Sequence, residues 1–341
     1  MPADEQRPRV HPHDRALPLR AGTRGSPLAL WQTRFFLARL SGFCPVLRNP
    51  LFEAQAVFEE HIIRTTGDAT QAAGTRLADI GGKGLFSKEI HEALADRRID
   101  FAVHSLKDLE TDLPDGIVLA CTLTREDARD ALILSPACGT PDSSTPYASL
   151  PAGALIGTSS VRRQAQLLHA RPDLRMTTLR GNVGTRLGRV KNGDLQGSLL
   201  ALAGLKRLGL EHEATVVLDA ETMVPAAGQG IVGITVRAAD TELRELLAAI
   251  EDPEARAVST AERALLAALD GSCRTPIGGH ARLAPDDART GGMLHLTGLV
   301  ARADGTFLLK RAIAGPPADA ARLGAELGKI LRADSPADLF A

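Results

Sequence analysis

Arginine side chains are concentrated in one stretch of the chain, where they could bind a ligand that carries several anionic groups. From Thr158 to Lys191 the sequence has seven arginines and one lysine against the single acid Asp173, while the whole chain has a net charge of −1. A guanidinium binds a carboxylate or phosphate through two parallel hydrogen bonds. The alternative is a set of solvated helix faces. We interpret three turns, at Arg24, at Thr158-Ser159-Ser160 and at Arg180-Gly181-Asn182, as parts of one cleft for a polycarboxylate or polyphosphate.

Three predicted turns would place free backbone N–H groups beside some of these cations. Each turn follows an apolar run and precedes a helical pattern, and the N-terminus of a helix attracts anions. In the first turn, Ser26 can cap a helix that opens with Pro27. The turns are Thr23-Arg24-Gly25-Ser26, Thr158-Ser159-Ser160 and Arg180-Gly181-Asn182.

Asp108 follows the apolar strand predicted over 99–105 and is adjacent to Lys107. A carboxylate at a strand end inside a cationic cleft can stabilise a positive intermediate or transfer a proton. The alternative is a helix cap or turn residue, and the pattern alone favours that simpler interpretation.

Cys273 lies in a turn of small residues, Gly271-Ser272-Cys273-Arg274. Arg274 could lower the pKa of the thiol, and a thiolate there could be a nucleophile or a covalent anchor. A buried structural cysteine is the simpler alternative. The four cysteines include no Cys-x-x-Cys pair, so we expect neither a zinc site nor a disulfide framework, and reduced thiols favour the cytoplasm.

Composition excludes several other classes of protein. No apolar run reaches the length of about 18 residues that a membrane span needs, and the polar stretch 1–18 has no apolar core of a secretion signal. The near-zero net charge and 3% aromatic content argue against a nucleic-acid binder. The run 81–84, Gly-Gly-Lys-Gly, lacks the Ser or Thr of a phosphate-binding P-loop.

The arrangement of predicted elements indicates an α/β body followed by a smaller module. The chain has 341 residues, of which 44% are hydrophobic, enough for two or three domains. Repeated strand–turn–helix units predict a mostly parallel sheet with sites at the carboxyl ends of its strands. Residues 67–84 are typical of a mobile loop. From residue 254 a helix, three strand-like runs and a final helix predict an α+β module.

Six phrases of the sequence resemble, in the right order, those of the porphobilinogen deaminases, or hydroxymethylbilane synthases, of tetrapyrrole biosynthesis. The resemblance runs from about Leu19 to the region of Cys273 with little interruption, and more loosely to the end. The phrases are Leu19–Ala29, Gly81–Phe86, Val103–Asp108, Gly157–Arg163, Leu179–Leu187 and Pro225–Gly230.

The resemblance implies a fold of three domains: two lobes like those of periplasmic binding proteins, and a small α+β C-terminal domain that carries the cysteine. We place domain 1 at 18–123 and 230–247, domain 2 at 124–229 and domain 3 at 248–341. Residues 1–17 are expected to be a flexible tail.

The resemblance also implies an activity and a cofactor. The enzyme, a transferase, would hold a dipyrromethane through a thioether to Cys273 and add four porphobilinogen molecules head to tail. Each addition would release ammonia through a cationic azafulvene, and water would release the linear tetrapyrrole from a hexapyrrole. Such a chain brings about a dozen carboxylates into one cleft, which would account for the arginine surplus.

Residue roles carry over from the matching positions. Asp108 would be the catalytic acid, facing the pyrrole nitrogens, and Lys83 would lie on a lid. The cofactor would be bound by Cys273, Ser105, Lys107, Thr158, Ser159, Ser160, Arg162, Arg163, Arg180 and Gly181, and the substrate by Arg24, Ser26, Arg180, Arg186 and Lys83. No metal is expected. The resemblance further implies a cytoplasmic monomer, without nucleic-acid or membrane partners, whose product passes to uroporphyrinogen-III synthase.

Two departures from the family pattern concern the site. Family members often have Val-Pro after the aspartate, whereas this chain has Leu109-Glu110, which adds an acid nearby. Gly-Gly often precedes the cysteine, whereas here it is Gly271-Ser272. A non-catalytic solute-binding protein with the same two lobes is the competing hypothesis, but it leaves Cys273 without a task.

Overall fold

The computed structural model describes residues 17–43, 57–71, 84–139, 141–142, 144–269, 275–284 and 292–340. The strands are β1 (Leu19–Thr23), β2 (Phe58–Ile62), β3 (Phe101–Ser105), β4 (Ile117–Thr122), β5 (Asp130–Leu134), β6 (Leu155–Gly157), β7 (Arg175–Thr177), β8 (Gly197–Ala201), β9 (Val216–Leu218), β10 (Val232–Arg237), β11 (Ile277–Leu283), β12 (Leu294–Ala301) and β13 (Leu308–Gly315).

Helices cover the faces of these strands. They are α1 (Pro27–Phe43), α2 (Thr66–Gln71), α3 (Lys88–Ala95), α4 (Val161–Ala170), α5 (Val183–Lys191), α6 (Leu202–Arg207), α7 (Thr241–Ala248), α8 (Pro253–Ala268) and α9 (Ala320–Ala333). In the described part of the chain, no helix combines the length and apolarity that crossing a membrane requires.

The first lobe is built on a five-stranded sheet with the order β2-β1-β3-β10-β4. Its core lies on both faces of the sheet: α3 packs on one face, and α1 packs on the other, where the buried rings of Phe36 and Phe101 meet edge to face at 5.3 Å. The predicted start of α1 is confirmed, because the Ala29 N–H donates to Ser26 Oγ at 3.2 Å with Pro27 in the first helical position.

The second lobe has a five-stranded sheet with the order β7-β6-β8-β5-β9. In each lobe four strands run in one direction, as the repeated units predicted, but one strand is reversed. The reversed strands are β10, antiparallel to β3 and β4, and β5, antiparallel to β8 and β9. Each is the first strand after the chain crosses from the other lobe, so it enters its sheet from the opposite end.

The third unit is the antiparallel sheet β11-β12-β13, with α8 and α9 packed on one face. The two helices approach closely at Gly324, where the backbone around Ala261 leaves no room for a Cβ. The predicted fold class, two α/β lobes and a small α+β domain, is confirmed. The residue boundaries of the three domains stay a prediction.

Part of the expected loop over 67–84 is helical. It begins with α2, and residues 72–83 lie outside the described residues, as does most of the predicted tail.

Candidate active site

The end of β3 delivers Asp108 to the space between the two lobes, which we call the cleft. A short 3₁₀ turn, Leu106–Asp108, follows the strand. Leu106 is buried and its N–H donates to Ile231 O at 2.9 Å, so packing and this hydrogen bond hold the turn in place. Lys107 and Asp108 are exposed to the solvent of the cleft.

Arginines of the second lobe lie in the same cleft as Asp108. Burial, together with the charges of Arg163 and Arg180, lowers the pKa of Arg186 to about 10, while the charge of Asp108 opposes that shift. Asp108 of the first lobe therefore interacts electrostatically with Arg186 of the second. Arg186 Nε donates to Gly181 O at 2.8 Å, which orients the guanidinium. Among the described residues no carboxylate forms an ion pair with Arg186.

Lys107 lies at the cleft end of a hydrogen-bonded network that continues into the protein interior. Its Nζ donates to Gln229 Oε1 at 3.2 Å, and Gln229 Nε2 donates to Asp130 Oδ1 at 2.8 Å. The surrounding protein and the charge of Arg163 lower the pKa of Lys107 to about 8. Cleft solvent reaches the ammonium and opposes part of that shift, so we expect Lys107 to carry its charge at neutral pH.

Arg162 and Arg163, expected to bind ligand carboxylates, are instead paired with the chain's own Asp130. Both arginines are 5% exposed, and Asp130 is completely buried. Arg162 Nη2 lies 2.8 Å from Asp130 Oδ2, and Arg163 Nη2 lies 2.7 Å from Oδ1. Further donors are used by Val224 O and Leu199 O. Most of the hydrogen-bonding capacity of this pair is therefore already used within the protein.

Arg163 keeps one donor free. Its Nε is buried, and no acceptor in the described ranges lies within hydrogen-bond distance of it. A buried N–H without a partner costs free energy, which a ligand oxygen would recover. The roles of Arg162 and Arg163 toward a ligand stay a prediction.

The turn Thr158-Ser159-Ser160 uses its hydroxyls to build the N-terminus of α4. Ser160 Oγ accepts from the Arg163 N–H at 3.4 Å, and Thr158 Oγ1 accepts from the Ser160 N–H at 3.1 Å. Ser159 Oγ donates to Leu179 O at 2.8 Å. The predicted helix start is confirmed, and the predicted contacts of these three residues with the cofactor remain untested.

Arg24 is also paired inside the protein. Its Nε lies 3.2 Å from both carboxylate oxygens of Asp68, and its guanidinium stacks over the Phe86 ring at 4.2 Å from the centroid. Ser26 is occupied as the cap of α1. A ligand carboxylate that binds Arg24 must therefore displace Asp68.

Helix α2 bridges the two lobes at this place. Asp68 of α2 holds Arg24 of the first lobe, and Gly67 O accepts from Arg180 Nη2 of the second lobe at 3.2 Å. Arg180 lies beside Gly181, which has a φ of +118°, a conformation that side chains disfavour. The helix thus engages two predicted ligand-binding arginines.

Ser105 is held by a residue that the sequence did not single out. Gln32 of α1, which is buried, exchanges hydrogen bonds with Ser105 Oγ at 2.9 and 3.1 Å. This contact fixes the last residue of β3, two positions before Lys107 and three before Asp108.

Half of the cations between Thr158 and Lys191 lie away from the cleft, as the alternative of solvated helix faces predicts for them. Their partners are surface acids and a carbonyl, because their positions on the elements point them outward. The contacts are Arg171 with Asp173, Arg189 with Asp194, Lys191 with Glu213, and Arg175 with Gly153 O.

Cys273 and Lys83 lie outside the described residues. Helix α8 ends at Ala268, five residues before Cys273 in the sequence. Their predicted roles, anchor and lid, stay predictions.

Asp68, Asp130 and Gln32 were missed from the sequence. Each is far along the chain from its partner, and no local spacing indicates the pairing. Gln229 could have been noticed from the sequence, because it belongs to the family-like phrase Pro225–Gly230.

The comparisons with known proteins agree on one family. Residues 19–245 match the family model "porphobilinogen deaminase, dipyromethane cofactor binding domain", and residues 257–333 match "porphobilinogen deaminase, C-terminal domain". The chain belongs to the porphobilinogen deaminase family. Both matches together cover most of the chain, including β3 with Asp108 and the arginines of the second lobe.

Curated relatives are named porphobilinogen deaminase, like the family. Porphobilinogen deaminase of Nitrobacter winogradskyi is 47% identical over 315 residues, covering 91% of this chain and 92% of its own. That of Paracoccus denitrificans is 43% identical over 323 residues, with 95% and 96% covered. The chloroplastic enzyme of Oryza sativa is 45% identical over 298 residues, with 87% and 78% covered.

Several solved structures are similar to this chain at low sequence identity. A periplasmic binding protein of Salmonella typhimurium with high arginine specificity has a TM-score of 0.37 at 13% identity, covering 68% of this chain and 90% of its own. The substrate-binding protein of an amino acid ABC transporter has a TM-score of 0.36, also at 13% identity, with 68% and 90% covered. The family assignment rests on the sequence matches.

Proposed function

We propose that this protein is a porphobilinogen deaminase, that is, a hydroxymethylbilane synthase. It condenses four porphobilinogen molecules head to tail, with loss of ammonia, on a covalent dipyrromethane primer and then releases the linear tetrapyrrole. The observation that carries the proposal is the electrostatic interaction, across the cleft, between the carboxylate of Asp108 and the guanidinium of Arg186, which forms no ion pair with a carboxylate of the described residues. Arg163 and Arg180 add further positive charge beside Arg186.

The residues present fit a dipyrromethane. Two pyrrole rings carry four carboxylates, which require cations when they leave bulk water. Lys107, Arg186 and the free Nε of buried Arg163 supply donors for such carboxylates. We propose that these groups hold the primer, together with Ser105, Thr158, Ser159, Ser160, Arg162, Arg180 and Gly181, and that Cys273 anchors it.

When bound, the primer would supply a free pyrrole α-carbon as the nucleophile of the first addition, and the terminal ring of the lengthening chain would supply it in the later ones. In each addition the substrate would lose its amine as ammonia, and the attacking carbon would lose its proton. Asp108 lies where a carboxylate can stabilise the positive charge that develops on the substrate and accept or return a proton. Arg24, Ser26, Lys83, Arg180 and Arg186 would bind the substrate's acetate and propionate groups.

The primer makes the proposal testable by intact mass. We expect purified active protein to exceed its sequence mass by two pyrrole units, because the thioether is covalent. Cys273→Ala should have the bare sequence mass and no turnover of porphobilinogen, since nothing can anchor the growing chain. Cys121→Ala is the matched control, because that thiol is buried and its pKa is raised to about 12, which leaves it unreactive.

The measurement combines electrospray mass with an assay of ammonia and linear tetrapyrrole. An unmodified and fully active chain would contradict the covalent primer. Binding of porphobilinogen without release of ammonia would instead support a solute-binding protein.

A second prediction concerns the substrate site. Asp68→Asn should lower the KM for porphobilinogen about two- to fivefold, because a partly exposed ion pair is worth up to ~1 kcal/mol and the substrate must otherwise displace it from Arg24. Burial would raise the pKa of Asp68, but Arg24 keeps it below its usual range, so the carboxylate is charged at neutral pH.

Initial rates over a range of substrate concentrations measure this effect. Asp96→Asn is the control, since Asp96 pairs with Arg98 on the surface of the same lobe. An unchanged or higher KM for Asp68→Asn would show that Asp68 does not compete with the substrate.

We also propose a cytoplasmic monomer whose product passes to uroporphyrinogen-III synthase. The described thiols, Cys121 and Cys138, are both free and buried, which supports a reducing compartment.

A further inference from the structure

The segment that follows Asp108 is held by an arginine of the small domain. Arg263 of α8 donates to three consecutive peptide carbonyls: from Nη1 to Leu109 O at 3.4 Å, and from Nη2 to Glu110 O at 2.6 Å and Thr111 O at 3.0 Å. A guanidinium suits such a cluster, because its five N–H donors form a rigid fork.

These carbonyls depend on that side chain. Residues 109–112 belong to neither a helix nor a strand, so regular secondary structure does not satisfy their carbonyls. Burial lowers the pKa of Arg263, and the charge of Glu110 opposes that shift. A largely enclosed cation surrounded by carbonyl oxygens is a fixed contact rather than a surface one.

The same segment is held from the opposite side by the first lobe. Glu110 Oε2 accepts from Ser87 Oγ at 2.7 Å, and Gly84, at a φ of +81°, packs against the same carboxylate. The extra acid therefore serves as a structural acceptor near the start of α3. The peptide after Asp108 is thus fixed at two points, one in each of two domains.

We propose that Arg263 is a positioning residue for Asp108, a role that rests on the proposed function. By holding the next three peptides, it sets where the Asp108 carboxylate lies in the cleft. Helix α8, which carries Arg263, ends shortly before Cys273 in the sequence. The same helix therefore holds the segment after Asp108 and precedes the proposed anchor Cys273 along the chain. Displacing a catalytic group by about 1 Å can cost about a hundredfold in rate.

Arg263→Gln is the test variant, with Arg256→Gln as its matched control. Arg256 lies two turns earlier on α8, where it pairs with Glu251 and donates to Leu119 O at 3.2 Å rather than to the carbonyls of 109–111. We expect Arg263→Gln to lower kcat per primer-loaded chain by about tenfold or more, with KM nearly unchanged, and to speed amide exchange in residues 109–113. Arg256→Gln should change neither kcat nor that exchange.

A double-mutant cycle separates positioning from general destabilisation. In single-turnover measurements, Arg263→Gln should have little further effect in an Asp108→Asn background, because both changes remove the same contribution. Equal effects in both backgrounds, or normal kcat and exchange in Arg263→Gln, would overturn the inference. If that variant does not fold, Arg263→Lys decides: it should retain part of the rate, and a wild-type kcat would equally overturn the inference. An inactive wild type would instead refute the proposed function.

Discussion

Asp108→Asn is expected to reduce turnover by about 10²- to 10⁴-fold, the range seen when a charge-stabilising or proton-transferring group is removed. Asparagine has nearly the same shape but cannot neutralise the positive charge that develops when the amine leaves. The described residues supply no free substitute, because the carboxylates of Asp68 and Asp130 are paired with arginines, and Lys107 and Arg186 are cations. Ligand affinity should change little, because the cations that bind carboxylates remain.

The measurement is kcat per primer-loaded chain, with loading checked by intact mass. Asp115→Asn is the control, because Asp115 is an exposed turn residue of the same connection between β3 and β4. Asp108→Glu should restore part of the lost rate by returning the charge in an altered position. A near-normal rate in fully loaded Asp108→Asn would remove this residue from the chemistry.

The second large effect is expected on stability. Asp130→Asn should lower the free energy of unfolding by about 3–5 kcal/mol, the cost of leaving buried charges without their partner. Two guanidinium groups, those of Arg162 and Arg163, would lose their counter-ion at once, and Gln229 would lose a charged acceptor. Chemical denaturation at neutral pH measures the change.

Asp173→Asn is the matched control, since it removes an Arg–Asp pair of the same lobe at the solvent-exposed surface. Its unfolding curve should nearly overlay that of the wild type. Equal midpoints for wild type and Asp130→Asn would show that the buried arginines do not depend on this carboxylate.

The same pair predicts how stability depends on pH. Burial would raise the pKa of Asp130, but the charges and hydrogen bonds of Arg162 and Arg163 outweigh it and hold the pKa well below its usual range. A depressed folded-state pKa stabilises the fold above the unfolded pKa of about 3.9, and that contribution is lost as the pH falls further. The gap between wild type and Asp130→Asn should therefore be constant near neutral pH and shrink below about pH 4.

Local sequence determined the features that depend on neighbours along the chain. The caps at Ser26 and Ser160, and Asp108 at the end of β3, follow from short patterns of apolar and polar residues. An α/β body followed by an α+β module follows from the order of those patterns, whereas the division of the body into two lobes was implied by the family resemblance. Helix capping and hydrophobic periodicity involve residues that are close in sequence, so these features can be predicted from the sequence alone.

Tertiary structure decided which charges are available to a ligand. In sequence, Arg24, Arg162 and Arg163 look like Arg186, yet the first three are paired with acids, whereas Arg186 has no ion pair with any described residue. Those acids, Asp68 and Asp130, lie 44 residues from Arg24 and about 30 residues from the arginine pair, and the pairing depends on how the chain crosses between lobes. Coulomb forces act through space rather than along the sequence. Which arginines of the cleft are paired with acids therefore depends on the tertiary structure and could not be predicted from the sequence.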